Sequence, residues 1–464
     1  MQLTCFKAYD IRGRVGENLD DAIARRIGTA FAYVMSEKVE GDVRIVVGRD
    51  CRESSPALAE ALIEGLLDQG ADVLDIGLAG TEEVYFATAH LGAAGGLEVT
   101  ASHNPKEYNG MKMVGPSSRP LDPIAELAEI RHFAEQGELP EVQPKGRYAT
   151  TDVRAAYAAH VCDFIDPDCL KPLRIVVNAG NGTAGPAFDA IAGELHRRGA
   201  PLSFIRVNHE ADGRFPNGVP NPILRENHSM TAEPVKAEGA DIGVAWDGDF
   251  DRCFLFDDEG NFVDGEYIVA LLAESFLLDR VGETIVYDPR VVWNTRAAVD
   301  ELGGTAVMSR TGHAFMKAKM REVNAVYGGE MSAHHYFRDF AYCDSGMIPW
   351  LKLVEFLSRI DRSLSNAVSH MRQAYPSSGE INFAVPDPQA AVEAVVTRLG
   401  PEALTIDSLD GASLTFDNWR MNLRASNTEP LLRLNVETRG DRELLHDRVS
   451  YLTDLIERTA CASV

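Results

Sequence analysis

Three aspartates, Asp247, Asp249 and Asp251, alternate through the stretch VAWDGDFDR that ends at Arg252. If that stretch is extended, every second side chain shares a face, and the three carboxylates converge. Like charges on one face repel unless a cation neutralises them, and hard oxygen ligands suit Mg²⁺. Apolar runs on both sides, Ile242 to Trp246 and Cys253 to Phe256, return the turn to a core and weigh against a solvated acidic turn. An EF-hand needs glycine at the sixth loop position, where Arg252 stands, so calcium of that kind is excluded. A strand followed by Asp-x-Asp also fits an aspartyl nucleophile, with Asp247 in that role.

A second candidate is Ser102, in EVTASHNP (98–105) just past an apolar strand. Pro105 keeps Asn104 out of helical geometry and stiffens the turn. The neighbouring His103 suggests a hydrolase, but adjacent residues of an extended chain point to opposite sides, which places His103 poorly as a base for Ser102. No Gly-x-Ser-x-Gly elbow is present. Alone, Ser102 reads as a turn serine. Gly180, Gly182 and Gly185 follow an apolar strand in the spacing of a dinucleotide fingerprint, yet the acidic residue expected after the next strand is missing. They read as a tight strand-to-helix turn. The loop RASNTEP (424–430) gathers an Arg fork, two hydroxyls and an amide in a few residues. That set suits a phosphate dianion, although an isolated loop of this kind is equally an ordinary hydrogen-bonded turn.

These loops need a scaffold, and the chain supplies a repeated one. Asp42 to Arg52, Leu173 to Gly185 and Glu283 to Arg290 each run from an apolar strand into a polar turn. A second apolar strand follows each and leads into TASHNP, DGDFDR (247–252) or GEMSAHH (329–335), with amphipathic stretches such as Pro56 to Leu67 between. Strands alternating with helices predict βαβ units whose ligand sites gather at the carboxyl ends of strands. The expected fold is therefore three similar α/β domains with mixed or parallel sheets. A smaller C-terminal α+β domain follows, with strands near 380–385, 412–416, 419–424 and 431–437 and a helix over 441–458. The expected boundaries are 1–150, 151–255, 256–365 and 366–464.

Composition agrees with a globular protein: 45% of residues are hydrophobic and 25% charged. No apolar run reaches the length of a membrane span, and the N-terminus shows no apolar signal core, so a cytoplasmic protein is expected. Seven scattered cysteines without a Cys-x-x-Cys pair argue against a disulfide framework or a thiolate zinc site. The net charge of −25 repels nucleic acid and anionic lipid, which excludes both as partners. It would repel a phosphorylated substrate too, so any phosphate site must be a local concentration of cations and N–H groups.

Taken together, KAYDIRG (7–13), TASHNP, YNGMK (108–112), DGDFDR, TGH (311–313), GEMSAHH and RASNTEP resemble the motifs of the α-D-phosphohexomutase family over essentially the full length. Within it the chain is most similar to the bacterial phosphomannomutases. The resemblance implies four domains, a phosphoserine at Ser102, and a Mg²⁺ held by Asp247, Asp249 and Asp251 together with Ser102. It implies that Glu330 and Ser332, with His334 beside them, read sugar hydroxyls. Arg424, Ser426, Asn427 and Thr428 match the loop that holds the non-reacting phosphate. Arg12, Lys112 and His313 match positions near the transferred phosphoryl group, and Arg252 adds charge there. Arg290 stands where some relatives carry lysine, and Ala333 replaces a glycine common in the sugar loop.

The implied reaction interconverts mannose 6-phosphate and mannose 1-phosphate through a hexose 1,6-bisphosphate, on the route to nucleotide-activated mannose. The domain after residue 365 is expected to close over the sugar and exclude water. Phosphoglucomutase or dual specificity is the near alternative, because the sugars differ only at C2. Met331 after Glu330 speaks against phosphoglucosamine mutase, whose loop usually carries glutamine there. A phosphohydrolase using Asp247 and a non-catalytic sugar-phosphate sensor are the readings from other classes.

Overall fold

The computed structural model describes residues 2–136, 139, 142–425 and 431–462. The chain forms two compact units, Met1–Phe262 with Ser332–Asp361, and Val263–Met331 with Arg362–Val464.

The first unit contains two sheets. One is built from β1 (Ile11–Arg14), β2 (Arg44–Arg49), β3 (Asp72–Leu78), β4 (Gly95–Val99), β5 (Tyr108–Val114) and β6 (Tyr148–Thr150), in the order β1-β5-β4-β2-β3-β6. Strands β2, β3, β4 and β6 are parallel, while β5 and β1 add antiparallel pairs at one edge. Parallel neighbours need crossovers, and the helices Ser55–Asp68 and Thr81–His90 supply them. Ile45, Val46 and Val47 are all buried, as both faces of such a sheet are covered. The second sheet carries β7 (Leu173–Asn178), β8 (Leu202–Val207), β9 (Ile242–Trp246) and β10 (Cys253–Phe256) in the order β10-β9-β7-β8. Strands β8 and β9 lie parallel to β7 on either side, with the helices Ala184–Arg197 and Ser229–Glu238 as crossovers. Strand β10 returns antiparallel to β9, so the aspartates occupy a hairpin loop. Gly180 and Gly182 lie in the tight turn after β7, and Gly185 falls in the first turn of the helix that follows.

In the second unit, the strands Thr284–Tyr287, Thr305–Met308 and Tyr327–Gly329 are parallel, with the first in the centre. The C-terminal sheet is antiparallel throughout, made of Ile381–Ala384, Thr405–Asp407, Ala412–Thr415, Trp419–Ala425 and Leu431–Thr438, with the helices Pro388–Leu399 and Arg442–Ala462. The expected four strands are all present. Thr405–Asp407 was not expected, because three residues at a sheet edge are too short to display an alternating pattern. Among the described residues, no helix is long and apolar enough to cross a membrane. Cys5, Cys51, Cys162, Cys169, Cys253 and Cys343 are free thiols.

One close approach fixes the aspartate loop against the first sheet. Gly80 precedes the helix Thr81–His90, and a Cβ added to it would stand 2.1 Å from the buried Phe250 ring. Its φ of −109° suits any residue, so the constraint is steric. Gly80→Ala is expected to lower unfolding stability by about 1–3 kcal/mol through overpacking, measured by denaturant titration. An unchanged midpoint would show that Phe250 can step aside.

Candidate active site

The serine loop leaves β4 at Val99 and turns at once. Ser102 has φ 49°, its N–H donates to Thr100 Oγ1 at 2.9 Å, and Asn104 N–H donates to Ala101 O at 2.9 Å. The stretch is therefore a turn and not an extended strand. This corrects the expected separation of Ser102 from His103: His103 Nδ1 lies 3.1 Å from Ser102 Oγ. The ring nitrogen is also engaged by Arg252, whose Nη2 donates to Nδ1. The positive charge of Arg252, followed by burial, holds the His103 imidazole well below its ordinary pKa. A neutral ring whose acceptor already receives an Arg N–H is a poor base for the serine. Ser102 Oγ donates to Asp247 Oδ2 at 2.7 Å.

The aspartates converge, but not by strand alternation. Phe250 has φ 46° and its N–H donates to Asp247 O at 3.2 Å, so Asp247 to Asp251 form a tight turn. All three carboxylates are buried, and one atom from each lies within 4.8 Å of the others. Their oxygens divide into two sets. Every Oδ2 has a protein partner. Asp247 Oδ2 takes Ser102 Oγ and, at 2.8 Å, Arg252 Nε; Asp249 Oδ2 takes Thr81 Oγ1 at 2.6 Å and Lys112 Nζ at 2.7 Å; Asp251 Oδ2 takes the same ammonium. Every Oδ1 is buried without a hydrogen-bond partner. Three unsatisfied carboxylate oxygens held together are costly unless a cation collects them. The donor set is all oxygen, which fits a hard divalent ion.

Charge follows this geometry. Burial drives the Asp251 carboxyl up, to about 8, and Asp249 adds to the rise. Burial opposes ionisation of Asp249 as well, but Lys112 outweighs it and holds that carboxyl down. Burial likewise opposes the Lys112 ammonium, and Asp249 and Asp251 reverse the effect and keep it protonated. Arg12 donates from Nε to Asp10 at 2.9 Å and from Nη1 to Thr100 O at 3.1 Å, within the field of Asp249 and Asp251. His334 joins the same group, its Nε2 3.8 Å from Asp251 Oδ1 and its Nδ1 3.1 Å from Ser332 Oγ. The first unit therefore brings together Ser102, Arg12, Lys112, Arg252, Ser332, His334 and the three aspartates. Thr81 had escaped notice: a lone threonine 168 residues from its partner carries no sequence signal.

Ala333 has φ 69°, left-handed backbone in which glycine is unstrained. The alanine at this position therefore carries backbone strain that a glycine would not.

The remaining expected residues lie in the second unit. Glu330 is buried and accepts from Gly312 N–H at 2.7 Å, next to His313, which opens the helix His313–Val323. Arg290 pairs with Asp288 and stands 3.9 Å from Glu330. Glu380 accepts from Arg290 Nη1 and Arg424 Nη2, each at 3.2 Å. Asp288, at the turn that ends the stretch Glu283 to Arg290, and Glu380 hold these arginines, and neither lies in one of the family motifs. Ser426, Asn427 and Thr428 lie outside the described residues.

The fit of a cation to the three Oδ1 atoms has a direct consequence. Mn²⁺ or Mg²⁺ is expected to raise the melting temperature of the wild type. Asp249→Asn is expected to weaken that binding by at least about tenfold, because even partners of metal ligands carry effects of that size. An equal rise in the variant would place the ion elsewhere.

The chain matches the family models for the α/β/α domains I, II and III of phosphoglucomutase/phosphomannomutase over residues 3–140, 155–260 and 264–375, and that for the C-terminal domain over 380–454. It is 52% identical over 459 residues to a phosphomannomutase of Salmonella typhimurium, covering 98% of this chain and 100% of the other. It is 52% identical over 457 residues to a phosphomannomutase of Escherichia coli, covering 98% and 99%. A crystal structure of a phosphoglucomutase/phosphomannomutase family protein from Burkholderia thailandensis superposes with a TM-score of 0.87 at 31% identity, covering 100% of this chain and 98% of that one. With the domain matches spread along the whole length, the chain belongs to the phosphoglucomutase/phosphomannomutase family, the α-D-phosphohexomutases, and is an isomerase that moves phosphate within its substrate.

Proposed function

We propose that the protein interconverts mannose 6-phosphate and mannose 1-phosphate, in the cytoplasm, by way of phosphorylated Ser102. The observation that carries this reading is the contact of Ser102 Oγ with Asp247 Oδ2 at 2.7 Å, beside three carboxylate oxygens that lack partners. The names of the full-length relatives support the choice of sugar.

Asp247, Asp249 and Asp251, with an oxygen on Ser102, would hold Mg²⁺, which neutralises charge on the phosphoryl group when bound. The free sugar hydroxyl attacks phosphorus; its O–P bond forms as the bond to Ser102 Oγ breaks. The bisphosphate then returns its other phosphoryl group to Ser102. The proton lost by the attacking hydroxyl is matched by the one regained at the sugar oxygen released second, so the cycle is proton-neutral. Arg12, Lys112 and Arg252 offset the charge of the group in transit. Lys112 is held as the ammonium by Asp249 and Asp251 and acts as a fixed charge. Glu330, Ser332 and His334 read sugar hydroxyls, His313 assists near the transferred group, and Arg290 and Arg424 with residues 426–428 hold the other phosphate.

Ser102→Ala is expected to lose activity on the order of 10⁴-fold or more, as loss of a nucleophile does. The measurement is a coupled assay on mannose 1-phosphate with Mg²⁺ and a trace of bisphosphate. Normal activity in the variant would show that the phosphoserine mechanism is wrong. The same assay on glucose 1-phosphate decides between a mannose-selective and a dual-specificity enzyme.

A further inference from the structure

The left-handed backbone of Ser102 is a conformation that a residue other than glycine keeps only where its surroundings impose it. The group best placed to impose it is Arg52, which ends the first strand-to-turn stretch and lies in none of the family motifs above. Arg52 is 1% exposed, and its guanidinium donates to four main-chain carbonyls of the serine loop. Nη2 reaches Ser102 O at 2.8 Å and Asn104 O at 2.7 Å, and Nη1 reaches Pro105 O at 2.9 Å and Tyr108 O at 3.0 Å. Asp50 lies 3.2 Å from Nε and balances the charge. The Phe215 ring faces the guanidinium carbon at 5.3 Å, from a loop of the second sheet. From the side of the aspartates, Gly248 comes so near that a Cβ there would lie 2.4 Å from Ser102 O. The serine carbonyl is thus confined between the Arg52 fork and the turn that carries the aspartates.

We propose that Arg52 is a positioning residue for phosphoryl transfer: it fixes the serine loop so that Ser102 Oγ faces Asp247. A cation needed only for charge balance with Asp50 could be lysine. A planar fork answering four carbonyls could not, because an ammonium offers three donors from a single point. The inference rests on Ser102 being the phosphoryl acceptor. The reaction it governs is simple: Ser102 Oγ gains the O–P bond, the sugar oxygen of a hexose 1,6-bisphosphate loses it, and the serine proton ends on that sugar oxygen.

The test is single-turnover phosphorylation of Ser102 by glucose 1,6-bisphosphate with Mg²⁺, followed by intact mass, for wild type and Arg52→Lys, with folding checked by circular dichroism. The variant is expected to label about 100-fold more slowly at saturation, the effect of displacing a reacting group by about 1 Å, with half-saturating bisphosphate changed less than about threefold. Folded Arg52→Lys labelling at the wild-type rate would overturn the proposal. Should that variant fail to fold, Phe215→Leu is read in its place. This change removes the ring packed against the guanidinium and with it a restraint on the fork, so labelling slower by several-fold supports positioning and an unchanged rate overturns it. A wild type that takes no phosphoryl group overturns the phosphoserine reading and this inference with it, whereas a labelled wild type beside an equally fast variant overturns this inference alone.

Discussion

Three carboxylates buried within one short turn are the constraint on which the first unit depends. Removed from water, they repel one another, and each must find partners or lose its charge. The structure meets this by dividing their oxygens, with Oδ2 atoms given to Ser102, Thr81, Lys112 and Arg252 and Oδ1 atoms left for an ion. A divalent cation at the Oδ1 atoms favours the ionised form of the aspartates, the raised Asp251 included, and they then face three cations, Arg12, Lys112 and Arg252. A phosphoryl dianion and a divalent cation can therefore enter as a matched pair without upsetting the balance. The same arrangement resolves how a chain of net charge −25 can handle anions. Its overall field matters less at the serine than cations held a few ångströms away in a poorly screened interior.

Positioning comes from backbone contacts more than from side-chain bulk. Thr183 donates its N–H and its hydroxyl to Gly248 O, each at 3.0 Å, and Gly182 packs so closely that a Cβ would stand 2.7 Å from the same oxygen. Of the glycines that formally matched a dinucleotide fingerprint, Gly182 thus serves to press the β7 turn against the aspartate loop. Gly80 does the equivalent from the first sheet and brings Thr81 onto Asp249. Only residues without a side chain allow three loops to meet at one turn.

Two sequence expectations assumed extended backbone, and both fail for one reason. His103 was assigned to the far side of the chain from Ser102, and the aspartates were thought to align by alternation. In each case a non-glycine residue in left-handed conformation, Ser102 or Phe250, reverses the chain and brings neighbours to the same side. Neither residue type announces such a conformation. Ala333 is a third example, where a small side chain concealed a strained φ.

The sequence by itself determined the strands, the crossover helices and the loops that carry the chemistry. Alternating apolar runs and turn residues are local signals, and the motifs at strand ends identified Ser102, the aspartates, Glu330 and Arg424 as candidates. It also determined the family, since the motifs recur in order along the whole chain. Tertiary structure alone decided which oxygen of each aspartate is free, that Lys112 bridges Asp249 and Asp251, that Thr81 and Arg52 brace the aspartate and serine loops of the first unit, and that Asp288 and Glu380 hold the arginines of the second. The physical reason is range. Hydrophobic periodicity acts between near neighbours, whereas a buried charge is satisfied by whichever partner the fold delivers, here across 137 residues for Lys112 and Asp249. Nothing local in the sequence records that pairing.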